Sequence, residues 1–201
     1  MREHLPVTSR RLSQAISEGE GISLIARVDD PDAARAAEDE GADAVAVRAS
    51  VPDLRESTRL PIIWAVYGDA GDAKSDGADA YVIGVAPFEE AEESFLQARL
   101  RAATDAGLEC VFEIGNSDSL DRVLELVDPE VLLLNGGGPT PDAFENLLEL
   151  LAEVPAGKLV IAALEEPTPE DVRELERVGV DAVLVESANI QGLADAEPPD
   201  V

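Results

Sequence analysis

The stretch ERVGVDAVLVESANI, residues 176–190, predicts the end of a helix, then a glycine and one acid, then a buried strand. Two upstream stretches repeat this pattern, DEGADAVAVRAS at 39–50 and SDGADAYVIGVA at 75–86. Glycine favours the left-handed conformation that ends helices, and a β-branched apolar run directly after it favours a strand. The repeat therefore predicts a helix-to-strand joint that the chain uses three times.

The strands implied by these joints belong to a longer series of apolar runs. Eight such runs are spaced along the chain, at 22–28, 43–47, 61–66, 79–84, 108–114, 130–135, 158–164 and 181–185. Near-continuous apolar strands are typical of parallel sheets that helices cover, and helical segments lie between most of these runs. We therefore predict an α/β fold, a single (β/α)8 TIM barrel with short loops. The open doubly wound sheet is the alternative, ranked second because no nucleotide-binding glycine motif is present.

The expected division of the chain follows from the same pattern. Residues 1–20 form an N-terminal segment predicted to be helical, and residues 21–193 form the barrel. The polar, proline-containing tail over 194–201 is predicted to fray.

Composition limits the classes of function. The net charge is −28, and the 201 residues include only two lysines, Lys74 and Lys158. The acids are spread between apolar positions, so we interpret them as a solvated surface, typical of halophilic proteins in a salt-rich cytoplasm. Such an acidic surface disfavours nucleic acids and anionic membranes as partners. We expect a cytoplasmic protein, because the chain has no signal-peptide core and no apolar run long enough to span a membrane.

Single cysteine and histidine residues narrow the chemistry further. Cys110 cannot form an internal disulfide or a zinc site built on several thiolates. His4 lies in a ragged N-terminus, which leaves no Ser-His-Asp triad to assemble. No cofactor is predicted, and a buried, inert thiol is the expected state of Cys110.

In a TIM barrel, chemistry is carried by the carboxyl ends of the strands and the loops that follow them. Alternation along the second predicted strand places Arg48 on the same face as the small residues Ala44 and Ala46. Along the fifth strand, Glu113 shares its face with Val111. Both charged side chains are therefore predicted to rise inside the barrel, with Glu113 as an acid or base. The alternative is an Arg–Glu pair that closes the barrel top as structure.

Three further strand ends supply predicted binding residues. Asn135 is followed by the loop NGGGPTPD, in which Gly136 and Gly137 let backbone N–H groups approach a ligand closely. A flexible turn is the alternative for this loop. Arg27 after the first strand and Glu186 and Ser187 after the eighth complete the predicted substrate-binding set.

From residue 22 to residue 190, the order and spacing of four segments resemble indole-3-glycerol phosphate synthase, a tryptophan-pathway barrel of the ribulose-phosphate-binding type. These segments are GADAYVIGVAPF, GLECVFEIGNSDSLDRVLEL, EVLLLNGGGPTPDAFENLLELL and EDVRELERVGVDAVLVESANI. The resemblance implies a carbon–carbon lyase, with Glu113 at the position of the catalytic glutamate and Asn135 at that of the active-site asparagine.

The sequence departs from the family elsewhere. The lysines expected after the first and third strands are absent from LIARVDDPD and IIWAVYGD, where Arg27 is a partial substitute. Gly137 stands where the family has an arginine. The phosphate-binding segments after the seventh and eighth strands have become AALEEP and VESANI.

Two interpretations follow for the function. In the first, the chain is a diverged synthase-like enzyme, a lyase or isomerase of a small phosphorylated, sugar-like substrate. In the second, it is a catalytically silent barrel that binds a small molecule or another protein. A Mg²⁺ ion held by Glu113, Glu165 and Glu186 is a third possibility, because carboxylates suit hard cations. The sequence does not define an oligomeric state.

Overall fold

The computed structural model describes residues 10–19, 21–66, 68–84, 92–138 and 142–194. Within them, parallel strands β1 to β8 follow one another in chain order and close into a barrel. The strands are Ser23–Arg27, Ala44–Val47, Ile62–Trp64, Ala80–Gly84, Glu109–Ile114, Val131–Asn135, Leu159–Ala163 and Ala182–Glu186. The predicted (β/α)8 barrel is confirmed. The open doubly wound sheet is wrong, because β1 pairs with β8 over its whole length.

Helices connect the strands on the outside of the barrel. Helices α1 to α9 are Arg11–Ser17, Pro31–Asp39, Leu54–Ser57, Ala70–Ser75, Glu92–Asp105, Ser117–Leu126, Ala143–Glu153, Pro169–Arg177 and Ile190–Ala194. A barrel of this type usually takes about 250 residues, and this chain closes one with 201 because α3 and α4 are short. A 3-10 turn, Ser187–Asn189, precedes α9. The three-part division of the chain stays a prediction, and residues 195–201 of the tail lie outside the described residues.

The repeated motif forms three joints with one geometry, which we call the aspartate joints: Gly41–Asp43, Gly77–Asp79 and Gly179–Asp181. In each, the glycine has a positive φ, between 79° and 96°. The N–H of the residue after it bonds back into the last helical turn, as from Ala42 to the Ala37 carbonyl over 2.9 Å. This is a Schellman cap, which satisfies carbonyl groups that the end of a helix leaves unpaired.

The aspartate of each joint then bonds twice to one residue of the preceding strand. Its own N–H donates to that residue's carbonyl, and its carboxylate accepts that residue's N–H. The pairs are Asp43 with Leu24, Asp79 with Ile62 and Asp181 with Val160. Because both bonds end on one residue, each aspartate fixes the register of its strand against the neighbouring strand.

Asp79 also carries a charge network at the base of the barrel. Its carboxylate accepts hydrogen bonds from Arg11, at 2.9 and 3.1 Å, and from Arg55, at 2.9 Å. The Arg55 guanidinium also donates to the carbonyl groups of Thr58 and Leu60. Burial lowers the pKa of Arg55, which makes its ion pair with Asp79 the main compensation for a half-buried cation.

The apolar residues form two clusters. One lies between the sheet and the helices, and the other fills the barrel interior. Leu12 and Ile16 of α1 belong to the interior cluster, so α1 closes the amino-terminal end of the barrel. Glu109, at the start of β5, accepts the backbone N–H groups of Leu12 at 2.7 Å and Ser13 at 3.0 Å. This carboxylate therefore caps a helix whose own N-cap residue, Arg10, makes no side-chain capping bond.

No helix in the described part of the chain combines the length and the hydrophobicity needed to cross a membrane.

The two aspartate joints at Asp79 and Asp43 allow a matched test of the charge network. Asp79→Asn removes the counter-charge of Arg55 and should lower the free energy of unfolding by about 2–3 kcal/mol. Asp43→Asn should cost less than about 1 kcal/mol, because an amide oxygen still accepts the strand N–H. Denaturant unfolding at constant salt measures both. Equal costs for the two variants would contradict the network.

Two partly buried carboxyl groups, Asp43 and Glu38, should change the free energy of unfolding with pH in opposite directions. Burial raises the pKa of Asp43, so its stabilising contribution is full below its unfolded pKa and is lost as pH rises through its folded pKa. A hydrogen bond from the Thr58 hydroxyl lowers the pKa of Glu38, so its contribution is lost as pH falls.

Unfolding free energies compared between about pH 7 and about pH 4.5 should show this difference. The cost of Asp43→Asn should grow towards acid pH, and the cost of Glu38→Gln should shrink. Slopes of the same sign would contradict the assignment of burial as the dominant effect at Asp43.

Candidate active site

The last inward-facing residue of each strand forms a ring at the carboxyl end of the barrel. Each ring residue lies two positions beyond a residue of the interior cluster, so the strand alternation turns it to the same side. In strand order, the ring is Arg27, Arg48, Ala65, Gly84, Glu113, Asn135, Ala163 and Glu186. The structure thus brings together at one end five residues predicted for the site, from five separate strands.

Glu113 and Asn135 are joined within this ring. The Asn135 Nδ2 atom donates to Glu113 Oε1 at 3.3 Å, and the Gly137 N–H donates to Asn135 Oδ1 at 3.2 Å. The Gly137 bond fixes which end of the Asn135 amide faces the carboxylate. Gly84, the strand neighbour of Glu113, leaves space beside it, because a Cβ atom there would lie 3.8 Å from Glu113 Oε2.

On the other side of the ring, two arginines have different surroundings. Arg27 Nη1 donates to Glu186 Oε1 at 2.5 Å, and these residues are register partners on β1 and β8. The Arg27 side chain is 12% exposed, against 48% for Glu186. Arg48 is exposed, and no partner for its guanidinium lies among the described residues. The pair that forms at the barrel top is therefore Arg27–Glu186, which leaves Arg48 free to meet a ligand.

A cavity of about 790 Å³ opens at this end of the barrel. Of the predicted site residues, Arg27, Arg48 and Asn135 line it. The roles predicted for these three, and for Glu113, Gly136, Gly137, Glu186 and Ser187, stay predictions. The Gly137 amide is engaged by Asn135, and Gly138 is the glycine of this loop that lines the cavity.

The cavity has further walls that were not among the predicted substrate-binding residues, although Glu165 belonged to the metal hypothesis. They are Gly138, Ala143, Phe144, Ala163, Leu164, Glu165, Glu166, Pro167 and Asp171. The acidic loop after β7 signalled Glu165 and Glu166, whereas Phe144 gave no signal beyond its place in an amphipathic helix. Asp171 is already used, because its carboxylate accepts the N–H and hydroxyl of Thr168 in the capping box of α8.

Backbone packing positions the loop after β6. Gly136 is buried, and a Cβ atom on it would lie 2.0 Å from the carbonyl oxygen of Ala143 at the start of α7. Asn146 on the same helix donates to the Gly136 carbonyl at 3.3 Å. The glycine therefore allows two backbone segments to pack closely, which fixes the position of Asn135 relative to α7.

The structure gives Trp64 and Cys110 no place in this site, and it does not support the metal hypothesis. Large aromatic side chains at or after the end of β3 would close the barrel top if they faced inwards. Trp64 does not, because it is buried between the sheet and the helices, and Tyr67 lies outside the described residues. Burial raises the pKa of Cys110 to about 11, which keeps the thiol protonated. The described residues contain no group of three or more His, Cys, Asp or Glu arranged to hold a metal ion.

The chain is similar in sequence to indole-3-glycerol phosphate synthases. No model of a protein family matches the chain. The indole-3-glycerol phosphate synthase of Geobacillus sp. (strain WCH70) is 27% identical over 168 residues, which are 76% of this chain and 64% of that protein. That of Aromatoleum aromaticum is 33% identical over 140 residues, 69% of this chain and 50% of the relative. The chain spans less than two thirds of the length of both relatives.

A solved structure shares the architecture. It is the N-acetylmannosamine-6-phosphate 2-epimerase from Clostridium perfringens, with a TM-score of 0.64 and 17% sequence identity. The superposition covers 94% of this chain and 92% of the epimerase. At this identity, the likeness shows the fold alone.

Two glycines at strand ends give a matched test of the loop after β6. Gly136→Ala forces a Cβ atom into the Ala143 carbonyl and should lower the free energy of unfolding by about 2–3 kcal/mol. Gly115→Ala, after β5, meets no atom within 4 Å and should stay within about 0.5 kcal/mol of the native protein. Denaturant unfolding measures both. A Gly136→Ala variant as stable as Gly115→Ala would contradict the close approach.

Proposed function

Since the chain is a diverged (β/α)8 barrel similar in sequence to indole-3-glycerol phosphate synthases, we propose that it is an enzyme of a small phosphorylated, sugar-like substrate. It acts as a lyase or isomerase at the carboxyl end of the barrel. The observation that carries the proposal is the hydrogen-bonded Glu113–Asn135 pair, on the same ring as two arginines that line a cavity of about 790 Å³.

Glu113 is the acid or base of the proposed reaction. A carboxylate transfers a proton only when its oxygen faces the reacting atom, and the Asn135 amide holds Glu113 Oε1 at 3.3 Å. The second oxygen, Oε2, is the one beside Gly84, where no other side chain among the described residues comes within 4 Å of the Cβ position. The geometry therefore supports proton exchange at Oε2 and orientation through Oε1.

The cations of the site restrict the reaction further. Neither lysine reaches the ring, because Lys74 lies in α4 and Lys158 bonds Asp128 before β7. The guanidinium groups of Arg27 and Arg48 suit the binding of anionic substrate groups, and we assign no proton transfer to them. We assign the proton transfer to Glu113, because the other carboxylate of the ring, Glu186, is paired with Arg27. One carboxylate suits a single transfer next to a carbonyl group.

Two activities measured side by side test the proposal. The first is turnover of carboxyphenylamino-deoxyribulose phosphate, the substrate that the family resemblance implies, followed by indole fluorescence. The second is proton exchange of ribulose 5-phosphate in deuterium oxide, followed by nuclear magnetic resonance. At least one activity should occur, and Glu113→Gln should reduce it by about 10²–10⁴-fold.

Glu125→Gln, on the exposed face of α6, is the matched control and should leave the activity unchanged. Circular dichroism verifies that each variant is folded at the salt concentration used. Activity that survives Glu113→Gln would refute the assigned acid or base. Binding of a sugar phosphate without either activity would support the catalytically silent barrel instead.

A further inference from the structure

The charges around the ring are separated by side. Arg27 ends β1 and Arg48 directly follows β2, whereas the β7–β8 side carries the carboxylates Glu165, Glu166 and Glu186. Both arginines and the first two carboxylates line the same cavity. A ligand in this cavity therefore contacts arginine side chains on one side and carboxylates on the adjacent side.

This separation is opposite to the common arrangement in TIM barrels. Phosphate groups are frequently held by the loops after the seventh and eighth strands, together with the N-terminus of a short extra helix. Here the loop after β7 carries Glu165 and Glu166, and β8 itself ends in Glu186, so a phosphate placed beside them would be repelled at close range. The binding site for an anion must lie elsewhere on the ring.

Arg48 is the cation best placed to bind it. The Arg27 guanidinium is already engaged by Glu186 at 2.5 Å, whereas Arg48 has no partner among the described residues. A planar guanidinium without a partner can donate two parallel N–H bonds to two oxygens of a phosphate. Arg27, on the neighbouring strand, adds positive charge from the side.

The position of Arg48 also suits the chemistry proposed above. In a closed barrel of eight strands, β1 and β2 lie opposite β5 and β6. A short sugar phosphate anchored at Arg48 therefore extends across the barrel axis, with its far end towards Glu113 and Asn135. Its hydroxyl groups face the carboxylates of the β7–β8 side, which accept hydrogen bonds from neutral donors.

Resting on the proposed function, we infer that the substrate is a sugar monophosphate whose phosphate binds Arg48 at the ends of β1 and β2. The carboxylates after β7 and at the end of β8 select against a second anionic group. Arg48 is thus the anchoring residue, and Glu165 and Glu166 determine specificity.

Titration calorimetry at constant ionic strength tests the anchor, with ribulose 5-phosphate as the probe. Arg48→Gln should weaken binding about tenfold or more, and Arg48→Lys should restore part of the loss. Arg177→Gln is the control. It makes the same charge change at the C-terminal end of α8, away from the cavity, and should leave the affinity unchanged. Because Arg48 is exposed and unpartnered, its variants should keep the thermal midpoint of the native protein.

Ribulose 1,5-bisphosphate tests the specificity. The native protein should bind it about tenfold more weakly than the monophosphate, and the double change Glu165→Gln with Glu166→Gln should narrow this gap. The inference would be overturned if Arg48→Gln bound ribulose 5-phosphate within about twofold of the native affinity. It would also be overturned if the native protein did not bind ribulose 5-phosphate. A gap that the double change leaves intact would overturn the specificity role of the two carboxylates.

The outcomes separate this inference from the proposed function. Turnover that depends on Glu113 but survives Arg48→Gln would uphold the function and overturn the anchor. Phosphate binding that is lost in Arg48→Gln, in a protein without turnover, would uphold the anchor alone.

Discussion

The positions of Arg48, Gly84 and Glu186 at the barrel top depend on the double hydrogen bond that an aspartate makes at the start of each of their strands. Asp43, Asp79 and Asp181 each bond twice to one residue of the preceding strand. Side chains alternate along a strand with a period of two, so a slip of one residue would turn every inward group towards the helices. A carboxylate at the base of the barrel therefore decides which side chains face the cavity at its other end.

This dependence separates the two ends of the molecule by task. The amino-terminal end holds the aspartate joints, the Arg11–Asp79–Arg55 network and the carboxylate of Glu109, all of which are satisfied by protein groups. The carboxyl-terminal end holds Arg48, whose guanidinium has no partner among the described residues. Unpaired charge beside a cavity marks a place for a ligand, whereas paired charge at the base stabilises the fold.

The sequence predicted the features that follow from local periodicity. The Gly-x-Asp joints, the eight strands and the inward faces of Arg48 and Glu113 depend on residues close in the chain, so alternation and capping rules find them. Pairings that depend on barrel closure were beyond such rules. Arg27 and Glu186 are 159 residues apart, and they meet because β1 closes on β8.

Two side chains show the limits of these rules more closely. Trp64 stands at a strand end, but Ile63 and Ala65 take the inward positions of β3, so Trp64 faces the helices. At the fourth joint, Gly107 to Glu109, the chain has Glu instead of Asp. The sequence pattern gives no reason for that change, because the partner of Glu109 lies in α1, 96 and 97 residues away.

The glutamate at this joint links the first helix to the barrel by hydrogen bonds to a carboxylate. Glu109 is buried, and its oxygens accept the N–H groups of Leu12 and Ser13. A fragment that starts after α1 would keep all eight strands, yet it would expose the apolar floor of the barrel and remove the two N–H groups that the Glu109 carboxylate accepts. We therefore expect a shortened form of the barrel to need either α1 or a neutral residue in place of Glu109 in order to fold.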